Sequence, residues 1–154
     1  METRPGELPE RLRSFLESLS LYSDPSDRAS LLLSFADQFR EVPPHVAVRP
    51  FPPGHQIPQC ESDAYAWAVK NPDGTLKLYF AVENPSGVSA KALAAILSKT
   101  LSGLPPDQIA SISTDIVTQI FRENISMGKG LGLMSMVQAV RALAKQALAD
   151  RASN

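Results

Sequence analysis

Apolar residues recur at helical spacing from Leu8 to Leu19, with Leu12, Phe15, Leu16 and Leu19 on one stripe. The Ser23-Asp24-Pro25-Ser26 cluster ends that pattern and supplies a cap for a second helix, Ser26 to Arg40. Its buried side is Leu31, Leu32, Phe35, Ala36 and Phe39. From Glu41 to Gln59 no helical or alternating period holds, and Pro43, Pro44, Pro50, Pro52, Pro53 and Pro58 stiffen the stretch. Loops longer than about 12–15 residues inside a compact domain are usually functional or disordered, and the prolines favour function here.

The period then changes to two. In Ala64–Lys70 the large Tyr65, Trp67 and Val69 alternate with Ala64, Ala66 and Ala68, so one strand face is bulky and the other suits a closely packed helix. Asn71-Pro72-Asp73-Gly74 is a turn signal, and Leu76, Leu78, Phe80 and Val82 give the returning strand one apolar face. A third strand is expected around His45–Phe51, through Val46 and Val48, at an edge because of its prolines. The rest of the chain reads as helical. Val88–Leu101 stops at Ser102-Gly103, a short helix opens at Pro105-Pro106-Asp107, and Ser113 or Thr114 caps another reaching Arg122 or Glu123. After the glycine-rich stretch 128–132 a last helix runs to about Leu148. The expected class is α+β, one domain over residues 1–154, with a small antiparallel sheet of about three strands packed against several helices.

Composition narrows the function classes. Fifteen basic against sixteen acidic residues, with no basic block, argue against sequence-independent binding of nucleic acid. No apolar run approaches the ~20 residues that span a bilayer, and the first residues lack the apolar core of a signal peptide. A single cysteine forms no internal disulfide, which fits a reducing compartment. The cytoplasm is therefore the expected location, with an organellar stroma or matrix the equivalent in a eukaryote.

That cysteine, Cys60, lies where the proline-rich loop meets the first strand, among Gln59, Glu61, Ser62 and Asp63 rather than in an apolar pattern. A free cysteine is often an inert core residue, but this setting suits a thiol presented at the rim of the fold. Glu61 and Asp63 disfavour its thiolate, the reverse of what a self-activated hydrolytic nucleophile needs. His45 and His55 share the preceding loop; either is a solvated histidine by default, and His55 is near enough to assist Cys60. A zinc site usually draws on more cysteines or on histidines at helical spacing, and neither pattern occurs. Gly128-Lys129-Gly130-Leu131-Gly132 lacks the spacing of a phosphate loop and reads as a helix start, with Lys129 placing a positive charge beside it.

Taken in order, the segments Ile57-Pro58-Gln59-Cys60-Glu61-Ser62-Asp63-Ala64-Tyr65-Ala66-Trp67 and Ser126-Met127-Gly128-Lys129-Gly130-Leu131-Gly132-Leu133-Met134-Ser135-Met136 resemble the SufE-like family of sulfur acceptors. The likeness spans about Leu8 to Leu148. It implies that Cys60 is the persulfide-accepting cysteine, with Ser62 on the serine that follows it. Lys129 falls on a family arginine, Gly132 and Leu133 on a Gly-Leu pair, and Met136 on a methionine. Gln59 stands where the family usually has glycine, and Glu61 where it often has a neutral residue. The resemblance implies sulfur transfer from a pyridoxal-phosphate-dependent cysteine desulfurase, stimulation of that enzyme, and delivery to iron–sulfur scaffold proteins. It implies no cofactor of the chain's own, and a monomer or homodimer. The other readings are an independent thiol enzyme, such as a rhodanese-like sulfurtransferase or a Cys–His hydrolase, and an adaptor in which Cys60 is incidental.

Overall fold

The computed structural model describes residues 8–152. Helix α1 is Glu10–Leu19 and α2 is Pro25–Asp37, each close to its sequence expectation. Asp24 caps α2, its carboxylate accepting from the N–H groups of Ser26 at 2.9 Å and Asp27 at 3.1 Å. Pro25 at the first helical position gives up an N–H that would have no partner there.

Strands β1 (Ala64–Lys70) and β2 (Leu76–Val82) form an antiparallel hairpin in which Ala64 faces Val82 and Lys70 faces Leu76. The alternation read from sequence is the observed division of faces. Ala64, Ala66, Leu76, Leu78, Phe80 and Val82 enter the main core. There α6 packs on β1 and α3 on β2, and the small alanines let α6 come close. Trp67 and Ala81 face the other way, into a second cluster closed by Val42 and Phe51 from the proline-rich loop.

The expected third strand is absent. Among the described residues the sheet has two strands, and residues 44–46 form a turn where a strand was anticipated. Prolines remove the donors a ladder needs, so the loop touches the sheet only at isolated points. Val42 N–H donates to Phe80 O at 2.8 Å, and Gln56 bridges to Tyr65.

The remaining helices are α3 (Val88–Leu101), α4 (Pro106–Ala110), α5 (Ile116–Phe121) and α6 (Met127–Ala152). Helix α6 begins earlier than anticipated: the glycine-rich stretch lies inside it rather than before it. Ser126 provides the start, its Oγ accepting from Lys129 N–H at 3.3 Å and its carbonyl from Gly130 N–H at 2.9 Å. Arg28 of α2 ties the helical layer together. It is 1% exposed, and its guanidinium donates to the carbonyls of Leu19, Tyr22, Gln119 and Ile120, the ends of α1 and α5. Burial lowers its pKa from the ordinary guanidinium value, as does nearby Arg122, while Glu123 opposes them.

Candidate functional site

Cys60 stands between two tight turns at the foot of β1. Pro58 and Gln59 make the first, with Gln59 at φ 58°. Proline followed by a positive φ is the order a type II turn favours, and glycine is the usual occupant of the second place. The second turn is closed by Asp63 N–H donating to Cys60 O at 3.2 Å, with Asp63 at φ 52°. Gln56 Nε2 donates to the Asp63 carboxylate at 2.8 Å, joining the two sides of the loop.

The hairpin register fixes what lies beside it. Because Ala64 pairs with Val82, the residues preceding β1 meet those following β2. Glu83 N–H donates to Asp63 O at 3.0 Å and Asn84 N–H to Ser62 O at 3.1 Å. Gly87, at the start of α3, fits against Ser62 only for want of a side chain. A Cβ there would stand 2.8 Å from Val82 Cγ1 and 3.0 Å from Ser62 Oγ.

Helix α6 supplies the third wall. Gly132 is buried, and a Cβ at its position would lie 3.3 Å from Gln59 O and 3.6 Å from Cys60 Cα. The start of a 26-residue helix is thereby held against the cysteine loop. Between the three walls is a pocket of about 240 Å³ into which Cys60, Ser62, Ser89, Lys129 and Leu133 project. Cys60 is half-buried, packed against the main core on one side and open to this pocket on the other. The N-terminal turn of α6 and the Lys129 ammonium bring positive charge to the pocket, and the Glu61 carboxylate brings negative charge. Val88, which lines the pocket, is 40% exposed, and on the first turns of α6 Met127 and Leu131, next in sequence to the lining Gly128 and Gly132, are 87% and 58% exposed. Exposed apolar groups near a recess are characteristic of a surface that another protein covers.

Of the residues singled out in the sequence, Cys60, Glu61, Ser62, Lys129 and Gly132 meet at this pocket. Gln59 contributes its backbone to the contact with Gly132. His55 is not among the pocket residues. Its ring stacks on Trp67 at 5.3 Å, and Nδ1 lies 3.0 Å from Ala66 O, which can only accept. Nδ1 therefore carries a proton, and the side chain braces β1. His45 packs edge-on against Tyr79 at 6.4 Å. Among the described residues no group of three His, Cys, Asp or Glu side chains is placed to hold a metal ion, and no helix is long and apolar enough to cross a membrane. Sequence reasoning missed Asn84, Gly87 and Ser89. Asn84-Pro85-Ser86-Gly87 is a turn signal directly after β2, and the hairpin register alone would have set it beside Ser62.

Over residues 13–144 the chain matches the family model SufE, described as an Fe-S metabolism associated domain. The chain belongs to the SufE family. Membership associates it with iron–sulfur metabolism. The solved structures include a similar fold in a hypothetical protein from Thermus thermophilus, known from a solution structure. It has a TM-score of 0.72 and 21% identity, covering 92% of this chain and 98% of that one. At that identity the likeness concerns the fold. No curated protein matches the chain. Gln59 holds a left-handed backbone, a conformation that glycine adopts without the cost borne by a side chain.

Proposed function

We propose that this protein is a sulfur acceptor and carrier, taking sulfur onto Cys60 from the persulfide of a PLP-dependent cysteine desulfurase, stimulating that enzyme, and passing the sulfur to an iron–sulfur scaffold. The observation carrying this reading is the placing of Cys60 in a small pocket between the hairpin loops and the start of α6, with Lys129 and the exposed Val88 among its lining residues. In the transfer step the Cys60 thiolate attacks the terminal sulfur of the donor persulfide. A bond forms between that sulfur and Sγ, the donor's sulfur–sulfur bond breaks, and the donor cysteine leaves as thiolate. No external oxidant or reductant is consumed. Lys129 and the α6 N-terminus stabilise the persulfide anion that Cys60 holds once the transferred sulfur has lost its proton, and the pocket shelters this product from further oxidation. Pyridoxal phosphate belongs to the partner and supplies the carbon–sulfur cleavage; the chain contributes a thiol, a cation and a surface. The proposed setting is the cytoplasm or an organellar equivalent.

The test is an intact-mass measurement after incubation with a cysteine desulfurase and free cysteine, before and after reductant. A reducible gain of one sulfur on wild type, absent in Cys60→Ser, is expected. If Cys60→Ser stimulates the desulfurase as well as wild type, the protein is an adaptor. Sulfur transfer without any desulfurase would make it an independent sulfurtransferase.

A further inference from the structure

Among the described residues three polar side chains are nine-tenths or more buried: Arg28, Thr100 and Ser135. The first two have partners within the chain. Arg28 donates to four carbonyls, and Thr100 Oγ1 donates to Ile96 O at 2.8 Å, the bond back along its own helix that is open to a buried hydroxyl. Ser135, 9% exposed and one turn beyond Gly132 on α6, makes no side-chain hydrogen bond to any described residue. A buried hydroxyl without a partner is costly, so the space it borders is informative.

Ser135 lines a cavity of about 600 Å³ between α6 and residues 54–59 of the proline-rich loop. That is within the ~300–1,000 Å³ typical of ligand sites. It shares no lining residue with the Cys60 pocket. Gln138, Ala139, Ala142 and Leu143 follow Ser135 along one face of α6 at helical spacing. The two alanines leave room, and with Leu143 they supply an apolar floor. His55 lines the same cavity from the loop. Its Nδ1 proton goes to Ala66 O at 3.0 Å, which leaves Nε2 of the neutral ring as an acceptor with no partner among the described residues. Gln56 and Gln146 already donate to the carboxylates of Asp63 and Asp150, at 2.8 and 2.9 Å. The Ser135 hydroxyl, His55 Nε2 and the Gln138 amide are uncommitted, and no carboxylate, ammonium or guanidinium lines the cavity.

An anion entering here would meet no cation on the walls, and a cation no carboxylate, so a charged ligand would lose hydration without compensation. Water answers the polar groups but gains nothing from Ala139, Ala142 and Leu143. What satisfies both kinds of surface is an uncharged molecule with a flat apolar body and a donor set beside an acceptor. We propose that this cavity binds a small, neutral, planar molecule of the carboxamide or lactam class. Its carbonyl accepts from the Ser135 hydroxyl, its N–H donates to His55 Nε2, and its ring lies on the alanine face of α6. With a hydroxyl and an imidazole nitrogen as the recognising pair, the site discriminates by hydrogen bonding, where a ligand lacking either group leaves a buried polar atom unmet.

The experiment titrates the full ¹⁵N-labelled chain with nicotinamide, 2-pyridone and uracil at millimolar concentration, with nicotinate and 3-(aminomethyl)pyridine as anionic and cationic controls. At least one neutral probe should shift the Ser135 and Ala139 amides saturably and bind about tenfold more tightly than either control. Ser135→Ala should weaken that probe about tenfold. Its urea midpoint should hold or rise, because alanine removes an unpartnered hydroxyl and favours the helix. Ala142→Glu, at an exposed helical position, should abolish the shift with the fold intact. Four results would each overturn the proposal: no saturable shift with any neutral probe, which would mean a recess that holds water only; equal binding of a charged control; unchanged binding in Ser135→Ala; or a lowered urea midpoint in that variant, which would make the hydroxyl structural. None of these readouts depends on Cys60 or on a desulfurase, so this site and the sulfur-acceptor reading stand or fall separately.

Discussion

Gly132 lies so close to Gln59 that a Cβ on it would stand 3.3 Å from the Gln59 carbonyl oxygen. The contact is backbone against backbone, so neither side yields by rotating a side chain. Gly132→Ala gains about 1 kcal/mol of helix propensity and loses a comparable amount to crowding. Its stability should therefore remain within about 1 kcal/mol of wild type. The displaced loop should still be detectable, as a faster rate of Cys60 alkylation. Gly132→Leu should disrupt the loop and abolish sulfur loading.

Gln59 holds a left-handed backbone at φ 58°, where an L side chain costs about 1–2 kcal/mol. Glycine relieves that strain but adds freedom to the unfolded chain. Gln59→Gly is expected to stabilise the protein by about 1 kcal/mol or less, and Gln59→Val to destabilise it by about 1–2 kcal/mol. Urea titration of the two variants side by side checks the sign.

Arg28 is a stability determinant remote from the pocket. Removing a buried guanidinium strands four carbonyls at the ends of α1 and α5. Arg28→Ala should cost at least about 3 kcal/mol, and Arg28→Lys should recover only part, because an ammonium cannot span partners on both helices. Denaturant unfolding compares these with Cys60→Ser, which should be nearly neutral.

Lys129 provides a test of pocket electrostatics. If it stabilises negative charge at Cys60, Lys129→Glu should slow loading of Cys60 by about tenfold and Lys129→Arg by less than about twofold, tenfold being worth about 1.4 kcal/mol of barrier. Single-turnover loading at several salt concentrations is the measurement. The gap between the two variants should narrow as salt rises.

The hairpin turn carries a proton-linked contact. Asp73 accepts from Thr75 Oγ1 at 2.6 Å and Thr75 N–H at 3.0 Å, and these bonds hold its carboxyl below the ordinary aspartate value. A depressed folded pKa means that the contribution is complete above the unfolded pKa and disappears as pH falls through the folded one. Carboxyl NMR should place the Asp73 midpoint below 3.8 in wild type and closer to it in Thr75→Val.

The parts of this fold legible in the sequence are those where side-chain period reports burial directly. Ala64, Ala66 and Ala68 alternating with Tyr65 and Trp67 disclosed both sheet faces and the approach of a helix. Val88–Leu101 had the bounds it has in the structure. Val46 and Val48 misled, because alternation reports a face only where a ladder exists, and prolines had removed its donors. The glycines at 128–132 were read, on intrinsic preference, as the turn that starts the last helix rather than as part of it. Their helical state depends on the Ser126 cap and on packing against the cysteine loop, which propensity does not encode. Cys60, Ser62 and Lys129 were within reach as candidates; their convergence needed the tertiary fold. His55 was drawn in by its nearness in sequence, whereas the 3-10 turn Pro53–His55 sets its ring against Trp67 instead.

The walls of the Cys60 pocket are fastened by different means. The two walls that leave the hairpin are bonded to each other through Glu83 and Asn84. The first turns of α6 have no hydrogen bond to the cysteine loop among the described residues and meet it through the bare backbone of Gly132. Two leaves of the enclosure are thus welded and the third merely rests against them. A protein docked over the start of α6 would press on the one wall held by packing alone, while Leu133, Met136 and Val137 keep the rest of that helix anchored in the core.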